Sequence, residues 1–567
     1  MLYIRFDKAE EQSRTKYSAF ISFKYDPYYV EEIKKLPIRV WRGGRKEWEI
    51  PTIFIPQLYK IDNDITFLND PPEDILSNRE VVLNEYDFKT TPLKHQMEGV
   101  LYGINNCEWL LGDEQGLGKS KQMIDLAVWK KNHQGLKHCL IICGVNNLKY
   151  NWVEEIQKHS NESCRILGFT KPNKEPSMKD RLAQLASCPE EFFWITNIES
   201  LRCHKEGRFY KSEIVEVINA FIRSGELGLV VIDEIHKAKN PTSAQGRGLL
   251  QIKGCCKVGL SGTLLVNKPL DLYVPLRFID ATGLSFWQFK QRYVVEDMWG
   301  APKGWKNMDE LQNCMNTYML RRTKALLDLP PKLYKEEYLE MSTEERRLYE
   351  HIKEETVKEI RADLDKINTP AMVLAKLIRM RQICCHTGLV STQVVKSTKF
   401  ERLRDILDEA KDNNEKVIVF TSFRELVKLA LEEFKDYNPY HIWGQMTQEE
   451  IAEQKNGFQD NDGFQVLFGV IQAAGTGLTL NTASIVVFLD LPWNKATMVQ
   501  AEDRAHRIGT KNTVQVISLL MKDSYDEYLH KLIISKQNIS QALIDNQDIR
   551  TCRKFIKEVF KLKEEVE

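Results

Sequence analysis

The amino-acid sequence predicts an α/β fold: two doubly wound parallel-sheet units joined by helical sequence, with a small β-rich module in front. Three observations predict it. Over residues 89–325, apolar runs of strand length alternate with helically periodic segments: Cys139-Leu140-Ile141-Ile142-Cys143, Phe192-Phe193-Trp194-Ile195-Thr196, Leu229-Val230-Val231-Ile232 and Val258-Gly259-Leu260. Such alternation belongs to parallel sheets covered by helices on both faces. The pattern stops in helix-rich sequence over 326–410 and resumes over 411–545 with Val417-Ile418-Val419-Phe420, Val466-Leu467-Phe468, Ile485-Val486-Val487-Phe488 and Val514-Gln515-Val516-Ile517. The length of 567 residues also exceeds what a single core organises.

In chain order, residues 1–57 alternate aromatic and charged side chains (Tyr17, Phe20, Phe23, Tyr25, Trp41, Trp48), with Gly43-Gly44 marking a hairpin turn, and read as a small β-rich module. Residues 58–88, with Pro71-Pro72 and several Asp and Asn, read as a linker. The first α/β unit follows over 89–325, a linker with a helical insertion over 326–410, the second unit over 411–545, and a charged helix over 546–567.

Composition narrows the classes. Hydrophobic residues make up 43% and charged residues 28%, which describes a globular chain rather than a disordered one. Eighty basic residues balance eighty acidic ones, so any nucleic-acid groove must be a local feature. The 12 cysteines include no C-x-x-C pair, which argues for reduced core thiols and against zinc. The first residues lack a signal-peptide core and no run approaches the roughly 20 apolar residues of a membrane span. An intracellular protein, away from membranes, is expected.

The chemistry begins at Gly112-Asp113-Glu114-Gln115-Gly116-Leu117-Gly118-Lys119-Ser120. An apolar strand precedes this loop and a helical pattern follows it, so its backbone N–H groups and the helix dipole converge on one point, as an anion site requires. Gly116 and Gly118 allow the backbone to wrap a phosphate, Lys119 reaches the β/γ phosphates, and the Ser120 hydroxyl can hold Mg²⁺. A glycine-rich turn would explain the loop alone. Val230-Val231-Ile232-Asp233-Glu234-Ile235-His236 supplies the second requirement, since carboxylates leaving the carboxyl end of a parallel strand lie beside such a loop. Asp233 would hold Mg²⁺ and Glu234 would position or deprotonate the attacking water. Ser261-Gly262-Thr263, past a further strand, completes an ordered series that solvated turns do not account for.

This series resembles the superfamily 2 helicases, and specifically the Swi/Snf-type DNA translocases. Thr91-Pro92-Leu93-Lys94-His95-Gln96 is similar to the family's adenine-recognising motif, with Gln96 as its glutamine. The loop is similar to the family's D-E-M-G-L-G-K-T, which accounts for Asp113 where other phosphate loops carry Gly. The resemblance implies contacts to ATP from Gln96, Asp113, Glu114, Gly116, Leu117, Gly118, Lys119 and Ser120. Asn151-Trp152 with Glu155, Met319-Leu320-Arg321-Arg322-Thr323-Lys324, Leu329-Pro330-Pro331-Lys332 and Arg381-Gln382-Ile383-Cys384-Cys385-His386 match further family segments, Thr387 replacing a proline after the last. Gln500-Ala501-Glu502-Asp503-Arg504-Ala505-His506-Arg507-Ile508-Gly509 resembles Q-A-E-D-R-A-H-R-I-G-Q, with Thr510 in place of the final Gln. Arg504 and Arg507, three apart on one helix face, are then expected as arginine fingers.

Thr196, Ser261, Gly262, Thr263, Gly475, Thr476 and Gly477 fall in segments that contact DNA or couple it to ATP in this family. The resemblance implies two RecA-like lobes, ATP and Mg²⁺ as cofactors, and translocation on duplex or branched DNA through sequence-independent backbone contacts, by a monomer. An RNA- or single-strand-dependent helicase is the alternative, since the D-E-x-H box and paired arginines are shared. Tyr28 to Trp41 and Lys46 to Pro51 resemble the HARP module of the HepA-related annealing-helicase branch, a DNA-binding aid.

Overall fold

The computed structural model describes residues 2–8, 17–35, 39–51, 55, 58, 61–62, 64–70, 83, 87–144, 148–168, 177–207, 209–262, 269–296, 302–327, 329–362, 370–391, 396–474, 478, 480–493, 495–507, 509–510 and 512–534. The chain divides into two compact units, Met1–Leu326 and Leu327–Glu567.

The first unit opens with five short strands, β1 (Leu2–Lys8), β2 (Tyr17–Ser22), β3 (Val40–Arg42), β4 (Glu47–Pro51) and β5 (Ile65–Phe67), in the order β3-β4-β2-β1-β5. The turn at 43–46 joins β3 to β4, as the glycine pair predicts. Strand β5 departs from expectation. It lies in the stretch read as a linker, yet pairs in parallel with β1 from Leu2 opposite Ile65 to Ile4 opposite Phe67. Three residues carry too little periodicity to announce a strand, and here the edge of β1 supplies the missing backbone partners.

The main sheet of this unit contains β6 (Glu108–Leu111), β7 (His138–Cys143), β8 (Cys164–Ile166) and β9 (Phe193–Asn197). After a hairpin of β10 (His204–Glu206) and β11 (Phe209–Lys211) come β12 (Leu227–Asp233) and β13 (Cys256–Leu260). A second hairpin, β14 (Val294–Glu296) and β15 (Pro302–Trp305), precedes β16 (Met319–Leu320). The sheet order is β16-β6-β13-β12-β7-β9-β8, with every pairing parallel. Because side chains alternate along a strand, both faces are apolar. Leu140, Ile142, Val230 and Ile232 enter one core, continuous with Leu2 and Ile4 of the front module. Cys139, Ile141, Leu229 and Val231 enter another with Trp109 and Trp152.

The second unit repeats the plan with β17 (Lys332–Leu339), β18 (Lys416–Thr421), β19 (Tyr440–Ile442), β20 (Gln465–Val470), β21 (Ile485–Phe488) and β22 (Val514–Met521). Its order is β17-β22-β21-β18-β20-β19, again wholly parallel. Strand β17 falls in the segment read as linker and helices. Its sequence, KLYKEEYL, is half charged because it is an edge strand with an exposed face, so no apolar run marks it. The expected helices do follow, at Thr343–Ala362, Pro370–Cys385 and Thr398–Asp412. Arg381, 2% exposed, donates to Asp490, to Ser422 Oγ at 2.9 Å and to the Leu491 carbonyl at 2.6 Å, tying together the loops that follow β18 and β21. The proposed helix over 546–567 lies outside the described residues.

One expectation about cysteine is corrected. Cys107 and Cys256 form a disulfide with their Cα atoms 4.4 Å apart, because the β6–β13 register sets Glu108 opposite Lys257 and so makes the preceding residues neighbours. Nine other cysteines among the described residues are free, and burial pushes thiols such as Cys384 up to about 12. No described helix is long and apolar enough to cross a membrane.

Beside the disulfide, burial raises the Glu108 carboxyl from 4.5 to about 7, Lys257 opposing the rise and Asp280 adding to it. The folded state therefore holds a proton here that the unfolded chain releases near 4.5. This residue contributes its full stability below about pH 4.5 and loses it as pH rises towards 7. Glu108→Gln is expected to gain about 1–2 kcal/mol on the wild type at pH 8 and little at pH 4.5, measured as the difference in thermal unfolding at the two pH values.

Candidate active site

The loop between β6 and the helix Lys119–Gln134 takes its shape from two glycines. Gly116 and Gly118 have φ of +86° and +75°, a left-handed conformation that costs a residue bearing Cβ about 1 kcal/mol or more. No side chain caps this helix start, and an anion is the natural partner for its first N–H groups. The Lys119 ammonium spans the loop, donating to the carbonyls of Asp113 at 2.8 Å and Glu114 at 3.3 Å.

The side chains of Asp113 and Glu114 are engaged within the protein. Asp113 is fully buried; Arg322 Nε donates to its Oδ1 at 3.0 Å, Arg322 Nη2 to its Oδ2 at 2.6 Å, and Gln122 Nε2 to Oδ2 at 3.0 Å. Glu114 Oε2 accepts from the Lys324 N–H at 2.9 Å, while Gly112 N–H and Glu114 N–H donate to Leu320 and Arg322 carbonyls. A loop made of glycine cannot pin itself through side chains. Here the segment after β16 pins it, and a two-point guanidinium–carboxylate pair satisfies a charge that burial alone would forbid. Gln96 Oε1 accepts from Leu93 N–H at 2.9 Å, and both Gln96 Nε2 and His95 Nε2 lie within reach of the Leu117 carbonyl, at 3.4 and 2.9 Å. The glutamine is thus joined to the loop.

At the end of β12 the backbone turns sharply, with Glu234 at φ +52°. A non-glycine residue held in this region stores strain of about 1–3 kcal/mol, which neighbouring structure must hold. The Asp233 carboxylate is fixed at both oxygens: Oδ1 accepts from Glu234 N–H at 2.9 Å, and Oδ2 from the Trp152 indole N–H at 3.0 Å. Although the residue keeps partial surface exposure, enclosure of its carboxyl and the adjacent Glu234 charge raise it above the usual carboxylate range, opposed by Trp152 and Lys119. Gln115 Nε2 lies 3.4 Å from Glu234 Oε1, bringing the glycine loop and the acidic pair together. His236 Nδ1 sits 3.1 Å from Glu234 Oε2 and 2.9 Å from Ser261 Oγ, so the third motif reaches the carboxylate through the histidine. Gly262 passes so close to the loop that an added Cβ would stand 3.0 Å from Gln115 Cγ.

Thr196, expected to contact DNA, is 1% exposed, with its Oγ1 2.8 Å from Ser200 Oγ. Every position of β9 is buried because helices cover both sheet faces, so this side chain supports its own loop. Thr263, Gly475, Thr476 and Gly477 lie outside the described residues. The sequence reading missed the roles of Arg322, Trp152 and His236. All three stand in matched segments, but partners 81 positions apart for Trp152, 209 for Arg322 and 25 for His236 with Ser261 leave no local signal.

In the second unit, the helix Lys495–Glu502 stops before either arginine, so Arg504 and Arg507 occupy a turn and not one helix face as expected. The reason is local. Lys332 Nζ contacts Glu502 Oε2 and Asp503 Oδ1, both at 2.8 Å, Tyr334 OH donates to Glu502 at 2.9 Å, and His506 Nε2 lies 2.8 Å from the Pro330 carbonyl. Burial alone would lower the Lys332 ammonium, but the charges of Asp503 and Glu502 outweigh it and hold it above its ordinary range. Thr510 Oγ1 accepts from Arg507 N–H at 3.1 Å and lies 2.7 Å from the Ala505 carbonyl, closing the turn. Arg504 donates to the carbonyls of Gln500 and Leu478 at 3.1 and 3.2 Å.

Among the described residues no cluster of three or more His, Cys, Asp or Glu side chains is placed to hold a metal. Mg²⁺ at a phosphate site needs one or two protein oxygens, phosphate and water completing the octahedron. Ser120 and Asp233 offer such oxygens.

Two family models match the chain in succession, the first running past Leu326 into the second unit. Residues 57–389 match the SNF2-related domain and residues 398–509 the helicase conserved C-terminal domain. An uncharacterized ATP-dependent helicase of Mycoplasma pneumoniae is 28% identical over 88% of this chain and 47% of its own length. The putative ATP-dependent helicase/translocase YwqA of Bacillus subtilis is 26% identical over 80% of this chain and 48% of its length. The DNA annealing helicase and endonuclease ZRANB3 of Mus musculus is 25% identical over 81% and 41%. The chain spans about half the length of these relatives.

Proposed function

The chain belongs to the SNF2-related family, and on that footing we propose that it is an ATP hydrolase that translocates on duplex or branched DNA. The observation that carries this reading is the meeting of the glycine loop and the acidic pair at Gln115 and Glu234, beside Lys119 and the doubly held Asp233. Phosphates seat on the N–H groups of residues 116–120, Lys119 turns from the Asp113 carbonyl to the β/γ oxygens, and Gln96 supports the loop beneath the base. Ser120 and Asp233 would hold Mg²⁺, which neutralises phosphate charge when bound. Glu234 orients and deprotonates the attacking water, and Asp113 serves by keeping the loop in shape through Arg322.

Arg504 and Arg507 supply the finger charge that stabilises the transferring phosphoryl group. The turn that carries them is held by Lys332 and Thr510, so the arginines are presented on a fixed backbone. Arg504→Ala and Arg507→Ala are each expected to lower turnover of the full chain by about 10²-fold or more while leaving ATP affinity within a few-fold, read by phosphate release and equilibrium binding. Equal losses in both quantities would make these arginines ligands of the ground state instead.

The front module adds a second DNA contact. Trp41 is half exposed with its ring 5.1 Å from that of Trp48, while Arg42 is engaged by Glu49 at 2.6 Å, leaving an aromatic hairpin face suited to stacking on unpaired bases. The likeness to the annealing helicase ZRANB3 supports placing the chain near the HARP branch. The deciding experiment is ATPase activity of the full chain across plain duplex, forked DNA, single strands and RNA. Stimulation by duplex and forked DNA is the expected result; stimulation by RNA or single strands alone would overturn it.

A further inference from the structure

We propose that Trp152 is a positioning residue for ATP hydrolysis, holding the Asp233 carboxylate in the one orientation that serves the metal-binding edge of the site; the inference rests on the reading above. Three observations carry it. Trp152 is 1% exposed on the helix Leu148–His159, packed in the same core as Leu229 and Val231 of β12, so its ring has one place to be. Its only polar atom, the indole N–H, is spent on Asp233 Oδ2 at 3.0 Å rather than on a carbonyl. The other carboxylate oxygen is taken by the N–H of Glu234, the residue held at φ +52°.

The geometry explains why an indole stands here. A carboxylate at a strand end can rotate about χ2, and without a second donor only one oxygen would be held. Together with the Glu234 N–H on Oδ1, donation to Oδ2 fixes the plane of the group and takes one lone pair on each oxygen, which leaves the remaining pairs in a set direction. Phenylalanine would fill most of the same space without making this bond. A structural role for Trp152 predicts that packing matters and the N–H does not; a positioning role predicts the reverse.

The test uses the full chain with Trp152→Phe and, at the same position, 3-benzothienylalanine, which keeps the bicyclic shape and replaces N–H by sulfur. Three quantities are read: ATP turnover, the Mg²⁺ concentration giving half-maximal turnover, and binding of a fluorescent ATP analogue with and without Mg²⁺. Expected for both variants are a loss in turnover of about tenfold or more, a several-fold rise in the Mg²⁺ requirement and in the analogue's dissociation constant with Mg²⁺, and unchanged binding without it. Turnover and Mg²⁺ requirement within twofold of wild type in the benzothienyl protein would overturn the proposal, whatever the phenylalanine variant does. Equal weakening of analogue binding with and without Mg²⁺ would also overturn it, by assigning Trp152 to the shape of the nucleotide pocket. A wild-type protein without ATP turnover would instead remove the reading beneath, and this inference with it.

Discussion

Lys119→Ala is expected to abolish ATP turnover, by about 10³-fold or more, while the protein melts within a few degrees of the wild type. The two effects separate because of where the residue stands. Lys119 opens the helix Lys119–Gln134, and its ammonium donates to carbonyl oxygens of the loop it spans. Alanine is the best helix former, so the backbone keeps its course. The loop itself is held by other means: Arg322 on Asp113, the Lys324 N–H on Glu114, and the pairing of 112 and 114 with 320 and 322. What disappears is the positive charge that meets the β/γ phosphates as charge shifts in the transition state. Phosphate release and a thermal melt on the same preparation check both halves. Normal turnover by the folded variant would mean that the glycine loop seats no nucleotide.

The doubly wound sheets were legible in the sequence because strands buried on both faces carry runs of apolar residues, as β7, β9, β12, β13, β18, β20, β21 and β22 do. Strands β5 and β17 were not. The first is three residues long, and the second carries the charges of an exposed edge, so neither writes its period into the chain. The chemistry divides in the same way. Residues whose function is local, such as Gly116, Gly118 and Lys119 in one loop, declare themselves by spacing. Partnerships between distant segments do not: nothing near Asp113 names Arg322, and nothing near Asp233 names Trp152. The arginine pair shows the opposite error, since i,i+3 spacing implies a shared helix face only where a helix continues, and this one ends at Glu502, where Lys332 engages Glu502 and Asp503 before Arg504 is reached.

Glu234→Gln is expected to retain ATP binding and lose turnover by about 10²–10⁴-fold, leaving a protein that accumulates with ATP unhydrolysed. The substitution is nearly isosteric, so the strained turn at φ +52° survives, and the amide oxygen can still accept from Gln115 as Oε1 does now. The amide occupies the place of the carboxylate oxygen 3.1 Å from His236 Nδ1, and the contact of that nitrogen with Ser261 Oγ does not depend on the Glu234 charge. Removing the charge also relieves Asp233, whose carboxyl is raised first by burial and next by Glu234, so the folded state is expected to be as stable as the wild type or slightly more so. Only the capacity to take a proton from water is lost. Filter retention of labelled ATP after a chase measures the trapped complex, and single-turnover phosphate release measures the chemical step. Near-normal single-turnover rates would take Glu234 out of the mechanism and leave the water to be activated by another group. Loss of ATP binding would show instead that the carboxylate holds the loop through Gln115, a structural duty that the isosteric amide is too weak to perform.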